Sequence, residues 1–121
     1  MTRGRHPELG RKIAETVACQ RGTVHLIDPG KDRALDILIT TSGHVILVTV
    51  QRSERLGEPI QKVEELFREP IHRIREIPDG GPVCRELWLY SRYENLRFFR
   101  IENSAVIELG RDGSPLPGAG T

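Results

Sequence analysis

Residues Asp36 to Arg52 read DILITTSGHVILVTVQR, two almost continuously apolar runs separated by a Ser-Gly-His turn. Turn residues between two such runs predict a β-hairpin, with strands over 34–40 and 44–52 joined across Thr41-Ser42-Gly43. Strands that are apolar on both faces are typical of a sheet covered by other elements on both sides. The stretch therefore predicts the covered part of a larger sheet.

Periodicity and turn residues predict the other elements outward from this hairpin. Helices are expected over 7–20, 58–69 and 71–77, and strands over 23–27, 86–92, 97–102 and 105–109. Pro70 is expected to end or kink the second helix, because it lacks an N–H and crowds the preceding turn. A hairpin followed by a helical crossover favours a mixed sheet. The prediction is one α/β domain over residues 1–110, a mixed β-sheet flanked by helices, with a flexible Gly/Pro-rich tail over 111–121.

Composition excludes several classes of protein. The 121 residues are 37% hydrophobic and 29% charged, which fits a folded domain and not a disordered chain. The net charge of +1 gives no general support for nucleic-acid binding, so any positive surface must be a local patch. No apolar run reaches the length of a bilayer span, and the basic N-terminus lacks a signal peptide's apolar core. We expect a cytoplasmic protein without membrane contact.

The cysteines and histidines show no metal-ligand spacing. Cys19 falls in a predicted helix and Cys84 near the start of a strand, which indicates free thiols in a reducing compartment. The four histidines are scattered along the chain, which argues against a zinc site.

Four short motifs, in a fixed order, carry a resemblance that covers about residues 3–102. They are Arg3-Gly4-Arg5 with Glu8-Leu9, Ala34-Leu35-Asp36, Val48-Thr49-Val50-Gln51, and Leu96-Arg-Phe-Phe-Arg-Ile-Glu102. This order resembles the PD-(D/E)xK nuclease superfamily, in particular the archaeal Holliday-junction resolvases. The resemblance implies a restriction-endonuclease-like fold and a Mg²⁺-dependent endonuclease that acts on DNA junctions as a homodimer.

The residues that would carry catalysis in that family are changed in this chain. Asp36 matches the family's first metal ligand, but Thr49 stands where a second acid is expected and Gln51 where the lysine is expected. A hydroxyl is a much poorer magnesium ligand than a carboxylate. Phosphodiester hydrolysis needs a metal ion that polarises the phosphate and activates water. The resemblance therefore implies a degenerate active site.

A carboxylate from elsewhere could complete the site. Glu8 is the first candidate beside Asp36 and Gln51, and Glu15 and Glu58 are further candidates. With such an acid, Asp36 would hold Mg²⁺ and Gln51 would orient the attacking water. Asp32, Glu64 and Glu65 are also available, but glutamates most often lie on solvated helix faces, and we favour that interpretation for the last two.

Basic residues near both ends of the degenerate site form either a phosphate-binding surface or an ordinary solvated face, and the sequence favours the two interpretations about equally. The surface comprises Arg3, Arg5, Arg11, Lys12, Arg52 and Arg55. Arg97 and Arg100 should lie on opposite faces of their strand by alternation. The aromatic residues of the last strands (Trp88, Tyr90, Phe98 and Phe99) are predicted to be core residues and not base-stacking platforms.

Three functions remain open from the sequence. The leading hypothesis is a resolvase-like nucleic-acid-binding protein, dimeric and without efficient cleavage. The second is an active Mg²⁺-dependent endonuclease with a relocated carboxylate. The third is a protein-interaction module on the same fold, which the near-zero net charge favours.

Overall fold

The computed structural model describes residues 5–27, 35–54, 57–78, 80–91 and 95–116, with side chains described from Lys12 onward. These residues form three helices and six strands. In chain order they are α1 (Arg5–Arg21), β1 (Thr23–Leu26), β2 (Ile37–Thr40), β3 (Val45–Arg52), α2 (Ile60–Leu66), α3 (Arg68–Arg75), β4 (Val83–Tyr90), β5 (Leu96–Ile101) and β6 (Val106–Leu109).

The six strands form one sheet in their chain order, β1-β2-β3-β4-β5-β6. All neighbours are antiparallel except β3 and β4, which run parallel and are joined by the α2–α3 crossover. A parallel pair needs such a crossover, because a short turn can only reverse the chain. The predicted α/β class, with a mixed sheet flanked by helices, is confirmed.

Each face of the sheet is covered by a different helical layer. Alternate strand residues project to opposite faces, and α1 packs through Ala14, Val17 and Ala18 on a cluster that includes Val48 and Trp88. The crossover packs through Val63, Ile71 and Ile74 on the other face, against a second cluster that includes Leu87, Leu89 and Phe99. The apolar character of β3 and β4 on both faces follows from this double cover. We call the two sides the α1 face and the crossover face.

The helix break in the crossover lies earlier than the sequence predicts. The structure ends α2 at Leu66 and begins α3 at Arg68, with Phe67 between them at φ −113° and ψ 32°. Pro70 therefore lies in the first turn of α3, where a missing N–H costs little because first-turn N–H groups have no intrahelical acceptor. The expectation that Pro70 ends or kinks a longer helix is wrong.

A buried arginine ties the crossover to the sheet. Arg85 of β4 is 1% exposed, and its guanidinium donates to the carbonyl oxygens of Ile77 (2.7 Å) and Ile101 (3.0 and 3.2 Å). It also donates to Arg75 O at 3.3 Å and Asn103 Oδ1 at 3.2 Å. These contacts satisfy a cation that would otherwise be costly to bury.

The chain makes close backbone contacts at Gly22, before β1, and in the residues that follow β6. A Cβ at Gly22, between α1 and β1, would lie 2.6 Å from Thr40 O and 2.9 Å from Ile39 Cγ2. Beyond β6, Pro115 bridges back to Leu109, and Leu116 N donates to Glu108 O at 3.1 Å. None of the helices in the described ranges is long and apolar enough to cross a membrane.

Candidate functional site

Asp36 lies immediately before β2 and joins it to β3. Its backbone N–H donates to Val48 O at 2.8 Å, and its carboxylate Oδ2 accepts the Val50 N–H at 2.8 Å. The carboxylate therefore extends along β3 to the residue between Thr49 and Gln51. The side chain thus takes part in the hydrogen bonding between β2 and β3.

Thr49 and Gln51 share one face of β3, as their spacing predicts. In the parallel register with β4, Thr49 lies beside Leu87 and Gln51 beside Leu89, and both leucines belong to the crossover cluster. Thr49 is 3% exposed, whereas Gln51 is partly exposed. The position expected to hold the second acid is thus a buried, neutral hydroxyl under the crossover.

Arg52 and Tyr90 complete a small polar cluster at the carboxyl ends of β3 and β4. The two residues are register partners. Burial raises the pKa of the Tyr90 phenol above its usual 10.0, the Arg52 cation opposes that change, and the Asp36 carboxylate adds to it. Asp36, Arg52 and Tyr90 are therefore close enough to interact electrostatically.

The other candidate carboxylates that the structure describes lie on α1 and at or before α2. Glu64 and Glu65 are exposed on α2, and Glu65 lies 3.8 Å from Lys62 in a surface ion pair, as expected. Glu15 is partly buried on α1, and Glu58 precedes α2. Among the described residues, no three His, Cys, Asp or Glu side chains are grouped to hold a metal ion. Asp32 and the Glu8 side chain lie outside the described residues.

Only part of the predicted phosphate-binding surface can be placed. Arg3 and Arg55 lie outside the described residues, and Arg5 and Arg11 lie on α1 with side chains outside them. Lys12 is exposed on α1, and Arg52 is partly buried at the end of β3. Among described atoms, Arg52 Nε is buried without a hydrogen-bond partner. Arg52 is thus the predicted basic residue whose charge, like that of Asp36, acts on Tyr90.

No family model, curated protein or solved structure matches this chain. No likeness to a characterised protein therefore assigns a role to these residues.

A second group of charged residues lies on the α1 face, at the opposite end of β4. Glu86, whose side chain is 2% exposed, accepts two hydrogen bonds from the Arg21 guanidinium, at 2.9 Å to Oε1 and 2.7 Å to Oε2. Trp88 Nε1 donates to the same Oε1 at 2.8 Å. The Arg21 guanidinium also lies 5.4 Å from the centre of a Trp88 ring. The three side chains form a buried, fully bonded ion-pair cluster.

This cluster forms one wall of a cavity of about 540 Å³. The cavity lies between the C-terminal end of α1, the start of β4 and the turn after β6, and Arg100 and Arg111 also line it. Arg100 is the register partner of Glu86 on β5. Among the described atoms, Arg100 Nε is buried without a hydrogen-bond partner.

Sequence reasoning missed this second group for a physical reason. Arg21 and Glu86 are 65 residues apart, and nothing local pairs them. A signal was present in the alternation of β4, since Glu86 falls on the same face as Trp88 and Tyr90, and a carboxylate at such a core position needs a partner. The prediction that Arg97 and Arg100 lie on opposite faces is confirmed, because Arg100 lines the cavity on the α1 face whereas Arg97 lies over Phe99 of the crossover cluster. Arg97 also donates to Glu108 at 2.8 Å and to Glu58 O at 2.6 Å. The four aromatic residues are core residues, as predicted.

Proposed function

We propose that this protein is a nuclease-like nucleic-acid-binding protein of the cytoplasm that does not cleave its ligand efficiently. The observation that carries the proposal is the environment of Asp36. Its carboxylate accepts the Val50 N–H at 2.8 Å, and the residues on either side of Val50, Thr49 and Gln51, are neutral. Mg²⁺ is usually bound through one or two carboxylates and several waters. A carboxylate oxygen that already accepts a backbone N–H between two strands is a poor basis for such a site.

The element order supports a restriction-endonuclease-like fold as part of the proposal. A helix, a three-stranded antiparallel meander, a helical crossover and a fourth strand parallel to the third are the arrangement that the resolvase resemblance implies. The Asp36–Thr49–Gln51 group lies at the β2–β3 pairing of this arrangement. Fold alone does not assign function, so the residues of the group carry more weight than the topology.

Arg52 supports nucleic acid as the ligand. The guanidinium of Arg52 and the carboxylate of Asp36 both lie within electrostatic reach of Tyr90. The Arg52 Nε–H donates no hydrogen bond within the described residues. Guanidinium contacts to phosphates contribute most of the sequence-independent affinity for DNA. Because the net charge is only +1, we expect binding to depend on few phosphate contacts and therefore to weaken only moderately with salt.

The test is binding and cleavage of a labelled four-way DNA junction and of plain duplex, with Mg²⁺ or Mn²⁺, over a series of salt concentrations. We expect binding without cleavage, and Arg52→Gln should reduce the slope of log K against log salt by about one. Arg73→Gln is the matched control, because it removes the same charge from an exposed position on α3. Equal effects of the two variants would show that Arg52 makes no phosphate contact.

Two other outcomes distinguish the alternative functions. Metal-dependent cleavage that is lost in Asp36→Asn would establish an active endonuclease with a relocated carboxylate, such as Glu8, and would overturn the proposal. Absence of both binding and cleavage would leave the protein-interaction module as the function to pursue.

The proposal includes a homodimer, because a four-way junction has two-fold symmetry that a symmetric dimer matches. β1 is an outer strand of the sheet, and Leu26 on it is 51% exposed. Sedimentation equilibrium of the free protein tests this part separately. A monomer at all concentrations, with junction bound, would remove the dimer from the proposal and leave the rest.

A further inference from the structure

We propose that the cavity lined by Arg21, Glu86, Arg100 and Arg111 binds the terminal phosphate group of a phosphorylated small molecule. This inference goes beyond the proposed function, because the cavity and the Asp36 group occupy different parts of the sheet. The cavity opens on the α1 face near the start of β4, whereas Asp36 lies beside the carboxyl end of β3.

The charges of the cavity wall favour an anion. Three arginines and two carboxylates line it, which leaves one excess positive charge. Glu86 is neutralised by Arg21 through two hydrogen bonds. The Asp112 carboxylate accepts hydrogen bonds from the hydroxyl (2.7 Å) and the backbone N–H (3.0 Å) of Ser114, which hold the pKa of Asp112 below its usual value. Arg21 thus offsets Glu86, and Asp112 keeps its negative charge, so Arg100 and Arg111 together carry the one excess positive charge.

Arg100 is the central donor of the proposed site. Its residue is partly buried, and its Nε lies away from solvent with no hydrogen-bond partner among the described atoms. Its register partner Glu86 already accepts two hydrogen bonds from Arg21, so a bound anion would supply a second counter-ion beside Arg100. A guanidinium presents a planar set of donors that matches the oxygens of a phosphate in two-point contacts.

Arg111 provides a second donor from a different element. It follows β6 in an exposed turn, and its Nε donates weakly to Gln20 Oε1 at 3.4 Å. Two guanidiniums on separate elements suit a phosphate monoester, which has three terminal oxygens and carries about −1.5 to −2 at pH 7. A carboxylate offers two oxygens and one charge, so it uses this arrangement less completely.

The size and rigidity of the cavity indicate a small molecule as the carrier of the phosphate. A volume of about 540 Å³ lies in the range of small-molecule sites. The wall next to Arg100 is preorganised, because the Arg21 and Glu86 side chains are only 7% and 2% exposed and hold each other in place. Preorganisation lowers the cost of binding.

Affinity measurements on the full chain test the proposal. Titration calorimetry with adenosine 5′-monophosphate, ribose 5-phosphate and citrate separates phosphate esters from carboxylates, and adenosine controls for the base. A short oligonucleotide with and without a 5′-phosphate separates a free metabolite from a nucleic-acid end as the source of the phosphate. We expect at least one phosphate ester to bind, and its unphosphorylated counterpart not to bind. Binding of citrate alone, or of none of the phosphate compounds, would overturn the proposal.

Three arginine variants locate the binding. We expect Arg100→Gln and Arg111→Gln each to weaken phosphate-ester binding by about tenfold or more, as for the loss of a charged hydrogen bond. Arg73→Gln is the matched control, since it removes the same charge from an exposed position on α3 that does not line the cavity. Arg111 is exposed, so its variant keeps the test valid if Arg100→Gln does not fold. The proposal would be overturned if Arg111→Gln bound the phosphate ester with unchanged affinity and Arg100→Gln either did the same or failed to fold.

The two proposals fail in distinguishable ways. Loss of junction binding in Arg52→Gln concerns the Asp36 group, whereas loss of phosphate-ester binding in Arg100→Gln concerns the cavity.

Cys84 supplies an independent readout, because it lines the cavity while Cys19 is exposed on α1 outside its lining. A bound phosphate ester should slow alkylation of Cys84 in the Cys19→Ser protein and leave Cys19 unaffected in the Cys84→Ser protein. Equal protection of both thiols would contradict binding in the cavity.

Discussion

Replacement of Glu86 by glutamine should destabilise the protein more than any ordinary surface substitution. The Glu86 carboxylate accepts three hydrogen bonds between 2.7 and 2.9 Å, two from Arg21 and one from Trp88. Glutamine keeps the shape and one acceptor oxygen, but it turns an amide N–H₂ toward a guanidinium and leaves the Arg21 charge buried without a counter-ion. Loss of one partner of a buried ion pair costs about 3–5 kcal/mol.

That cost is a large fraction of a typical folding free energy of about 5–15 kcal/mol. For a chain of this length it corresponds to a decrease in Tm of about 10–20 °C. Urea unfolding followed by circular dichroism gives the free energy of unfolding of wild type and Glu86→Gln. Fluorescence of Trp88, the single tryptophan, reports on the cluster itself and should follow the same transition if unfolding is two-state.

A double-mutant cycle with Arg21→Met separates the ion pair from general damage to the core. If the pair is coupled as the distances indicate, the double variant should lose less stability than the two single variants together, by about 1–3 kcal/mol. Glu65→Gln is the matched control, because Glu65 is exposed and its ion pair with Lys62 spans 3.8 Å. A Glu86→Gln cost within about 0.5 kcal/mol of that control, or additive single variants, would refute the reasoning.

Three further variants test other parts of the structure. Burial raises the pKa of Tyr90, so the stabilising contribution of its protonated form is complete below the unfolded-state pKa near 10 and is lost as pH rises through the folded-state pKa. Tyr90→Phe should therefore flatten the decline in the free energy of unfolding between about pH 9 and 11. Parallel curves for wild type and variant would contradict this. Gly22→Ala should cost about 1–3 kcal/mol in urea unfolding, since its Cβ would meet the Thr40 carbonyl at 2.6 Å, whereas Gly57→Ala, with open space around it, should not. Asp36→Ala should be about 1–2 kcal/mol less stable than Asp36→Asn, because only asparagine can still accept the Val50 N–H; equal stabilities would show that this bond contributes nothing.

The fold was accessible from the sequence where one local rule dominated. The apolar runs before and after Ser42-Gly43 predicted the β2–β3 hairpin, and the helical stripe from Ile60 to Phe67 predicted the crossover. Local rules failed at Pro70. Proline is compatible with the end of one helix and with the first turn of the next, and only packing against the sheet selects between these positions. The helix break at Phe67 places Ile71 and Ile74 on the same apolar cluster as Val63.

The candidate sites were accessible only in part. Spacing predicted that Thr49 and Gln51 share a face and that Asp36 lies beside them. The hydrogen bond from Val50 to the Asp36 carboxylate was beyond reach, since it depends on the exact pairing of two strands. The Arg21–Glu86 pair and the cavity beside it depend on how α1 crosses the sheet, which no local pattern encodes. Their shared signal was a charged residue at a core position of a strand.

The buried guanidinium of Arg85 has a consequence for how the protein opens. Its contacts reach the end of α3 through Arg75 O and Ile77 O, and the end of β5 through Ile101 O. If α3 separated from the sheet, Arg85 would lose its bonds to Arg75 O and Ile77 O while its bonds to Ile101 O still held it against β5. The crossover and the central strands should therefore exchange their amide hydrogens in a single cooperative opening, instead of the helices fraying first.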